Sequence, residues 1–268
     1  MQRELEVATG LARAAGKLAL GYHGTDVTVD RKAGNEPVTR ADRESSELIV
    51  AGLRRAFPDD VAISEEAPDD VRRLRGGRVW FIDPVDGTSD FIRGRAGFSV
   101  MIGLCVDAVP AVGVMYQPIG DRMFVASRGA GAWMAEDGGE ARRLAVSTIA
   151  DLDKIRLVAS RSHRSRQIDD VKNALGISEE MNIGSVGLKL GLIAMGEMDL
   201  YVNPSSRSKA WDTCAPQTLL HEAGGKITDL WGEPLAYDRA ELGNQRGLLA
   251  SNGLVHDAVL ARLRPLFP

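Results

Sequence analysis

Cysteine and aromatic residues are scarce in this chain, which also lacks a long apolar run and a basic excess. The two cysteines, Cys105 and Cys214, form no Cys-x-x-Cys pair, so a disulfide scaffold and a zinc ribbon are both unsupported. We interpret them as buried thiols of a reducing compartment. Aromatic residues make up 5%, and none stands out as a platform for stacking a nucleobase.

The charge balance and the missing apolar run exclude two classes of partner. The formal net charge is −4 and the sequence pI about 5.7, whereas proteins that bind polymeric nucleic acid normally carry a basic excess. A small phosphorylated substrate remains compatible, because a metal and a few placed cations can hold it. No run approaches the roughly 20 apolar residues of a membrane span, and the N-terminus lacks a signal-peptide core. We expect a cytoplasmic protein without a membrane partner.

The spacing of apolar residues predicts two halves of different character. Predicted helices cover residues 5–22, 40–57, 165–175, 187–195, 212–223 and 254–267. Predicted strands cover residues 61–63, 78–82, 98–106, 111–116, 123–127, 131–134, 155–159, 199–202, 226–229 and 247–251. Strands follow strands early, and strands alternate with helices later. We predict an α+β half over residues 1–141 and an α/β half over residues 142–268.

The sharpest motif is the sequence DPVDGT at residues 83–88, directly after a predicted apolar strand. The strand should place Asp83 at its carboxyl end, and a turn can then aim Asp83 and Asp86 at one point. Gly87 permits a tight turn or a close ligand approach. A solvated turn is the alternative interpretation, since Asp-Pro and Asp-Gly pairs are common in turns.

Two carboxylates do not complete a magnesium site, because Mg²⁺ prefers six oxygen ligands. Glu65 follows a short predicted strand and could join the cluster. Asp212 stands at the start of a predicted helix, where it is either a helix cap or a ligand. Asp42 lies near the start of another helix, and its alternative is a solvent-facing helical acid.

Glu65-Glu66, residues 83–88, and Trp211-Asp212 followed by Ala223-Gly224-Gly225 occur in this order at wide spacing. Together they resemble the signatures of the inositol monophosphatase superfamily, Mg²⁺-dependent and lithium-sensitive phosphatases, over nearly the whole chain. The resemblance implies an α/β (α+β) fold, a layered α-β-α-β-α sandwich with the metal cluster between the halves. Family members are often homodimers, an expectation that no sequence feature tests.

The resemblance also implies a role for each motif residue, with two or three Mg²⁺ ions per site. Glu65, Asp83 and the carbonyl of Val85 resemble ligands of a first ion, and Asp83, Asp86 and Asp212 those of a second. Thr88 is similar to the residue that orients the attacking water, with Asp42 as its acidic partner and Glu65 also catalytic. The N–H groups of Gly87 and Thr88 resemble a phosphate cradle. The implied reaction is hydrolysis by a metal-activated water.

Four further segments bear on the substrate. Asp90-Phe91 replaces the Asn-Phe pair usual in inositol monophosphatases and is more like the bacterial 3′(2′),5′-bisphosphate nucleotidases. Ser160-Arg161-Ser162-His163 is similar to a stretch of those nucleotidases, and the guanidinium of Arg161 could grip a second phosphate together with Ser162 and His163. The alternative is a helix cap and a solvated turn. Lys189 resembles a lysine near their nucleotide, and its alternative is a snorkelling surface lysine. In the polar loop at 203–209, Arg207 and Lys209 could meet phosphate.

These patterns predict a Mg²⁺-dependent phosphomonoesterase that removes the 3′-phosphate of 3′-phosphoadenosine 5′-phosphate. An inositol 1-phosphate or related sugar-phosphate phosphatase is the alternative. A catalytically silent binding or regulatory protein on the same fold is a third hypothesis. The full acidic set argues against it, because burying several carboxylates without a cation is costly.

Overall fold

The computed structural model describes residues 1–25, 28–32, 36–162 and 164–267. The helices are α1 (Gln2–Tyr22), α2 (Arg40–Ala56), α3 (Thr88–Ile92), α4 (Gln167–Leu175), α5 (Val186–Ala194), α6 (Ala210–Glu222) and α7 (His256–Leu263). The strands are β1 (Val29–Arg31), β2 (Pro37–Thr39), β3 (Val61–Ser64), β4 (Arg78–Asp86), β5 (Ser99–Val106), β6 (Val109–Gln117), β7 (Arg122–Ser127), β8 (Ala132–Glu136), β9 (Arg142–Arg143), β10 (Leu157–Ser160), β11 (Glu180–Ile183), β12 (Leu200–Asn203), β13 (Lys226–Thr228) and β14 (Leu248–Ser251).

The first large sheet has seven strands in the order β3-β4-β5-β6-β7-β8-β9. β3 and β4 run parallel and the other neighbours antiparallel. Side chains alternate between its faces: on β5, Ile102 packs with α1 and α2, whereas Met101 packs with α5 and α6. Both faces are therefore covered by helices, which explains why its central strands are apolar throughout.

The second large sheet has five strands in the order β11-β10-β12-β14-β13. Val158 and Tyr201 face the α5–α6 layer, whereas Leu157 and Leu200 face α4 and α7. The helices α5 and α6 thus lie between the two sheets, and the predicted α-β-α-β-α order is confirmed. The division at residues 141 and 142 stays a prediction; β3–β9 and β10–β14 each come from one continuous stretch of chain.

The middle helix α6 lies directly against the backbone of the seven-stranded sheet. A Cβ added to Gly103 would lie 2.6 Å from the main-chain nitrogen of Ala215, and one added to Gly113 would lie 2.3 Å from its main-chain oxygen. Neither glycine has a positive φ, so the lack of a side chain is needed for space. This close approach fixes the distance between the seven-stranded sheet and α6, the helix that carries Asp212.

Several element boundaries differ from the sequence predictions. β4 continues to Asp86 instead of ending at residue 82, with a shift in its register against β5 between Asp83 and Asp86. Such an irregularity suits Pro84, which has no N–H to donate. α6 begins two residues before Asp212. The strands β1, β2, β9 and β11 are short and were not predicted. No helix within the described ranges is long and apolar enough to cross a membrane.

Candidate active site

The two acids of the DPVDGT motif lie at the end of β4 and are almost inaccessible, at 3% exposure for Asp83 and 6% for Asp86. Oδ1 of Asp83 accepts a hydrogen bond from the N–H of Val85 at 3.1 Å. Asp86 is held by the other half of the chain. Its Oδ2 accepts from the Ser185 hydroxyl at 2.5 Å and its Oδ1 from the N–H of Val186 at 3.0 Å. The motif is therefore tied to the start of α5.

Two further acids are positioned by the same helix-capping device. Asp42 is the third residue of α2, and its Oδ2 accepts the N–H of Thr39 at 2.8 Å. Asp212 is the third residue of α6, and its Oδ2 accepts the N–H of Lys209 at 2.7 Å. In a capping box the third residue satisfies the N–H of the cap residue in this way. Asp212 is thus a capping residue and a member of the acidic cluster, where the sequence left a choice.

The Thr88 hydroxyl lies between two of the predicted site groups. It is 3.2 Å from Oδ1 of Asp42 and 3.1 Å from the carbonyl oxygen of Val85. Burial raises the pKa of Asp42 to about 6, although hydrogen bonds from Thr39 lower it. A carboxylate with a pKa near the operating pH is suited to accept a proton. Asp42 is buried at 2% exposure, so the solvent-facing alternative is wrong.

Glu65 meets a lysine that the sequence analysis did not single out. Lys32 Nζ lies 2.7 Å from Oε1 of Glu65 and 2.6 Å from Oε1 of Glu66. Burial opposes the charge on Lys32, but the two glutamates raise its pKa. Burial raises the pKa of Glu65 to about 7, against the opposing effect of Lys32. One ammonium group therefore partly compensates the acidic cluster.

The remaining acids repel one another. Burial, followed by the charges of Glu65, Asp86 and Asp212, raises the pKa of Asp83 well above its ordinary value. Burial, then the charges of Glu65 and Asp86, does the same to the pKa of Asp212. Mutual repulsion therefore adds to the cost of burying these acids.

This donor set fits a hard divalent cation. Buried carboxylates that repel one another are costly unless a cation compensates them, and Mg²⁺ takes oxygen ligands. Glu65, Asp83, Asp86, Asp212 and the Val85 carbonyl are the groups that could hold it. Within the described parts of the chain, no three His, Cys, Asp or Glu side chains converge closely enough to hold an ion as they stand. Glu65 instead contacts Lys32, and Asp86 gives both oxygens to the start of α5.

These acids line one wall of a cleft of about 810 Å³. Of the predicted substrate-binding residues, Gly87, Thr88, Ser162 and Lys189 also line it, and His163 lies outside the described residues. Lys189 is fully buried, and its Nζ donates to the carbonyl of Gly184 at 2.7 Å. The snorkelling interpretation is therefore wrong. Burial lowers the pKa of Lys189 to about 8, although Asp86 and Asp90 raise it.

Sequence reasoning missed two features of this site and misplaced a third. Lys32 gave no signal, because it lies in a polar segment without periodicity. Arg93 lines the cleft at the end of α3, and its place shortly after DPVDGT was the available clue. Arg161, whose guanidinium was predicted to grip a second phosphate, does not line the cleft; it contacts the buried carboxylate of Asp90 at 2.8 Å instead, 71 residues away in sequence.

Comparisons with known proteins agree with this arrangement. The family model described as the inositol monophosphatase family matches residues 1–266. The histidinol-phosphatase of Mycobacterium tuberculosis is 32% identical over 97% of each chain. The 3′(2′),5′-bisphosphate nucleotidase CysQ of Escherichia coli K12 is 36% identical over 88% of this chain and 95% of its own. The solved IMPase of Thermotoga maritima superposes with a TM-score of 0.85 at 28% identity, covering 99% of this chain and 98% of its own. The chain belongs to the inositol monophosphatase family and is a phosphoric monoester hydrolase.

Proposed function

We propose that this enzyme removes the 3′-phosphate of 3′-phosphoadenosine 5′-phosphate. The observation that carries the proposal is the presence of cations in the cleft besides the acidic wall. Arg93 and Arg207 are exposed and Lys209 is partly exposed, and all three line the cleft. A substrate with one phosphate would be served by the metal site, whereas a second phosphate suits these additional cations. The cleft volume of about 810 Å³ lies within the usual range of ligand pockets, roughly 300–1,000 Å³.

The cleft also offers an aromatic surface. Trp211 is partly buried and lines the cleft next to Asp212. Its ring would give the adenine a face to stack on, worth about 1–3 kcal/mol for a base on an aromatic side chain. This supports a nucleotide although the chain holds few aromatic residues.

The roles proposed for the acidic wall follow from its contacts. Bound Mg²⁺ would polarise the phosphate and lower the pKa of a water. Glu65, Asp83, Asp86, Asp212 and the Val85 carbonyl would hold it. The Thr88 hydroxyl, close to Asp42 and Val85, would orient the attacking water, and Asp42 would accept its proton. Gly87 and Thr88 line the cleft where the reacting phosphate would lie.

An inositol or related sugar phosphate is the second candidate. Asn203, Ser205 and Ser208 line the cleft, and neutral hydrogen-bonding groups of this kind suit a polyol. The test is kcat/KM with Mg²⁺ for 3′-phosphoadenosine 5′-phosphate, inositol 1-phosphate and histidinol phosphate. We expect the nucleotide to exceed the others at least ~100-fold, about 2.7 kcal/mol of discrimination. Asp83→Asn is the negative control.

Adenosine 3′-phosphate, which lacks only the second phosphate, sharpens the test. Arg93→Gln or Arg207→Gln should raise KM for the bisphosphate and leave KM for adenosine 3′-phosphate almost unchanged, because each removes a group that meets the 5′-phosphate. If inositol 1-phosphate is the better substrate, the nucleotidase proposal is wrong and the sugar-phosphate alternative replaces it.

A further inference from the structure

Asp90 is a fully buried acid in α3 that no step of the proposed chemistry uses. Its Oδ2 accepts hydrogen bonds from Nη1 of Arg161 at 2.8 Å and from the N–H of Gly184 at 3.0 Å. Nη1 of Arg95 lies 3.5 Å from its Oδ1. A buried carboxylate needs such partners, since an unpaired one is strongly destabilising. Asp90 does not line the cleft, so it acts through its partners.

The space around this carboxylate is kept open by two glycines. A Cβ added to Gly97 would lie 2.1 Å from Oδ2 of Asp90, and one added to Gly184 would lie 2.7 Å from the same atom. Neither glycine has a positive φ, so backbone conformation does not require them. Two separate segments therefore carry glycine beside the carboxylate of Asp90, because a side chain at either position would occupy its space.

The contact with Gly184 connects Asp90 to the acidic wall. Ser185, the next residue, caps α5 through its hydroxyl, which accepts the N–H of Leu188 at 2.9 Å. The same hydroxyl donates to Asp86. Asp86, the last residue of β4, and Asp90 in α3 are four residues apart and therefore hold the same turn at residues 184–187. Asp86 has three bonds of its own to Ser185, Val186 and Gly187, so this proposed metal ligand stays bonded to the turn when the contact of Asp90 with Gly184 is lost.

The contact with Arg161 connects Asp90 to the segment at residues 160–162, whose two serines line the cleft. Arg161 lies between Ser160 and Ser162, which both line the cleft, whereas Arg161 does not. Its side chain turns away and joins Asp90 to the end of β11, where Nη2 donates to the carbonyl of Asn182 at 2.7 Å. Its main-chain N–H donates to the carbonyl of Ile183 at 3.2 Å. The guanidinium thus fixes a segment whose neighbours face the substrate.

We propose that Asp90 and Arg161 form a positioning pair that holds residues 160–162 and the turn at 184–187 against the cleft, and so sets the binding of the substrate's second phosphate. Neither residue touches the substrate. The inference rests on the proposed function, in which Arg93 meets the 5′-phosphate; Nη1 of Arg93 lies 3.5 Å from the hydroxyl of Ser162, so residues 160–162 would adjoin that phosphate. An amide at position 90 could still accept hydrogen bonds through its one oxygen, but it would lack the negative charge that pairs with Arg161 and Arg95.

The test compares Asp90→Asn with wild type on 3′-phosphoadenosine 5′-phosphate and on adenosine 3′-phosphate. We expect KM for the bisphosphate to rise ~10-fold, equivalent to about 1.4 kcal/mol, with kcat nearly unchanged, and KM for adenosine 3′-phosphate to stay nearly constant. A rise in KM alone indicates lost binding rather than lost chemistry. Arg161→Gln is the second variant, to be used if Asp90→Asn does not fold. The Arg161 side chain is 38% exposed, and its replacement should break the same ion pair and reproduce the effect on KM.

Asp199→Asn is the matched control. Asp199 is also fully buried and is held by Arg156, whose Nε lies 2.8 Å from its Oδ2, but neither residue lines the cleft. Asp199→Asn should lower the Tm about as much as Asp90→Asn does, without changing the ratio of the two KM values. If Asp90→Asn changes both KM values alike, or behaves as Asp199→Asn does, the pair is only structural and the inference is wrong.

Hydrogen–deuterium exchange tests the pair independently of the substrate. Asp90→Asn should accelerate amide exchange at residues 160–162 and 184–187, and Asp199→Asn should not. Unchanged exchange at both segments overturns the inference. If the wild-type enzyme has the same KM for both nucleotides, the proposal that the site recognises a second phosphate is wrong. The exchange result alone then decides whether Asp90 and Arg161 position these segments.

Discussion

The hydroxyl of Thr88 lies 3.2 Å from Oδ1 of Asp42, although 46 residues separate them in sequence. The contact joins the start of α2 to the start of α3 at the cleft. It forms because a capping box turns Asp42 inward and because β4 leads into the turn that places Thr88 beside Asp42.

Removing this hydroxyl should impair the chemical step. We expect Thr88→Val to lower kcat by ~100-fold to ~10,000-fold, the usual range for lost general acid–base assistance, with little change in Tm. Asp42→Asn should have an effect of similar size. Thr88→Ser, which keeps the hydroxyl, is the control and should retain most of the activity. Near-normal turnover by Thr88→Val at saturating Mg²⁺ would remove Thr88 from the mechanism.

Replacing Lys32 should increase the response to Mg²⁺. The ammonium contacts Glu65 at 2.7 Å, so a cation at Glu65 must compete with it. Lys32→Met removes the competitor and leaves the metal-free protein with less compensation for its acids. Both effects enlarge the Tm shift on adding Mg²⁺, which differential scanning fluorimetry would measure.

Lys172→Met is the matched control for Lys32→Met. Lys172 lies 2.8 Å from Glu180, and its side chain is 24% exposed against 25% for Lys32. The control should leave the Mg²⁺-induced shift unchanged. An equal or smaller shift for Lys32→Met would show that Lys32 does not compete with the ion.

The metal-free protein should lose stability as the pH rises. Asp42 and Glu65 have pKa values raised from 3.8 to about 6 and from 4.5 to about 7, so the folded state binds their protons more tightly. The stability that they contribute is complete below pH ~4 and is lost as the pH rises through ~7. For Asp42 the raised pKa corresponds to about 3 kcal/mol.

Tm measured in a chelator across this pH range checks the direction. Excess Mg²⁺ should remove most of the decline, because the ion replaces the protons. Asp83→Asn should flatten the decline even in the chelator, since it removes one of the repelling charges. A Tm that rises between pH 4 and 7 without metal would contradict the raised pKa values.

Two glycines of α1 should respond in opposite directions to the same change. A Cβ at Gly10 would meet nothing within 4 Å, whereas one at Gly16 would lie 2.5 Å from the ring of Tyr116. Gly10→Ala should therefore stabilise the fold by about 1 kcal/mol, the difference in helix propensity. Gly16→Ala should destabilise it by about 1–3 kcal/mol through overpacking. Urea denaturation of both variants measures the difference, and destabilisation by Gly10→Ala would contradict this description of α1.

The parts of the fold predicted from sequence were those with a local physical signature. α1 and α2 were predicted because each buries one face, which leaves apolar residues at helical spacing. The β5–β6 hairpin was predicted from two apolar runs around a short turn. β1 has three exposed residues and therefore no apolar pattern, and β11 is a partly exposed edge strand. Short strands of this kind form through their neighbours and leave little trace in sequence.

The site residues divide in the same way, into those predicted from a local sequence pattern and those whose roles depend on long-range packing. Asp83 and Asp86 followed from a strand that ends on a turn, a local pattern. Glu65 and Asp212 were candidates from their places at a strand end and a helix start, but their role as ligands rested on the family resemblance, because their meeting depends on how the two sheets stack around α6. The contact of Asp90 with Arg161 spans 71 residues and depends on the same stacking, so no spacing rule could have found it.

The close approach of α6 to Gly103 and Gly113 has a consequence for genetics. Any side chain at either glycine must push the helix away from the sheet, and Asp212 moves with it. A selection for folded but inactive variants should therefore recover changes at these two positions as well as at the acids. In such a screen the phosphatase would be disabled by residues that never meet its substrate and carry no functional group at all.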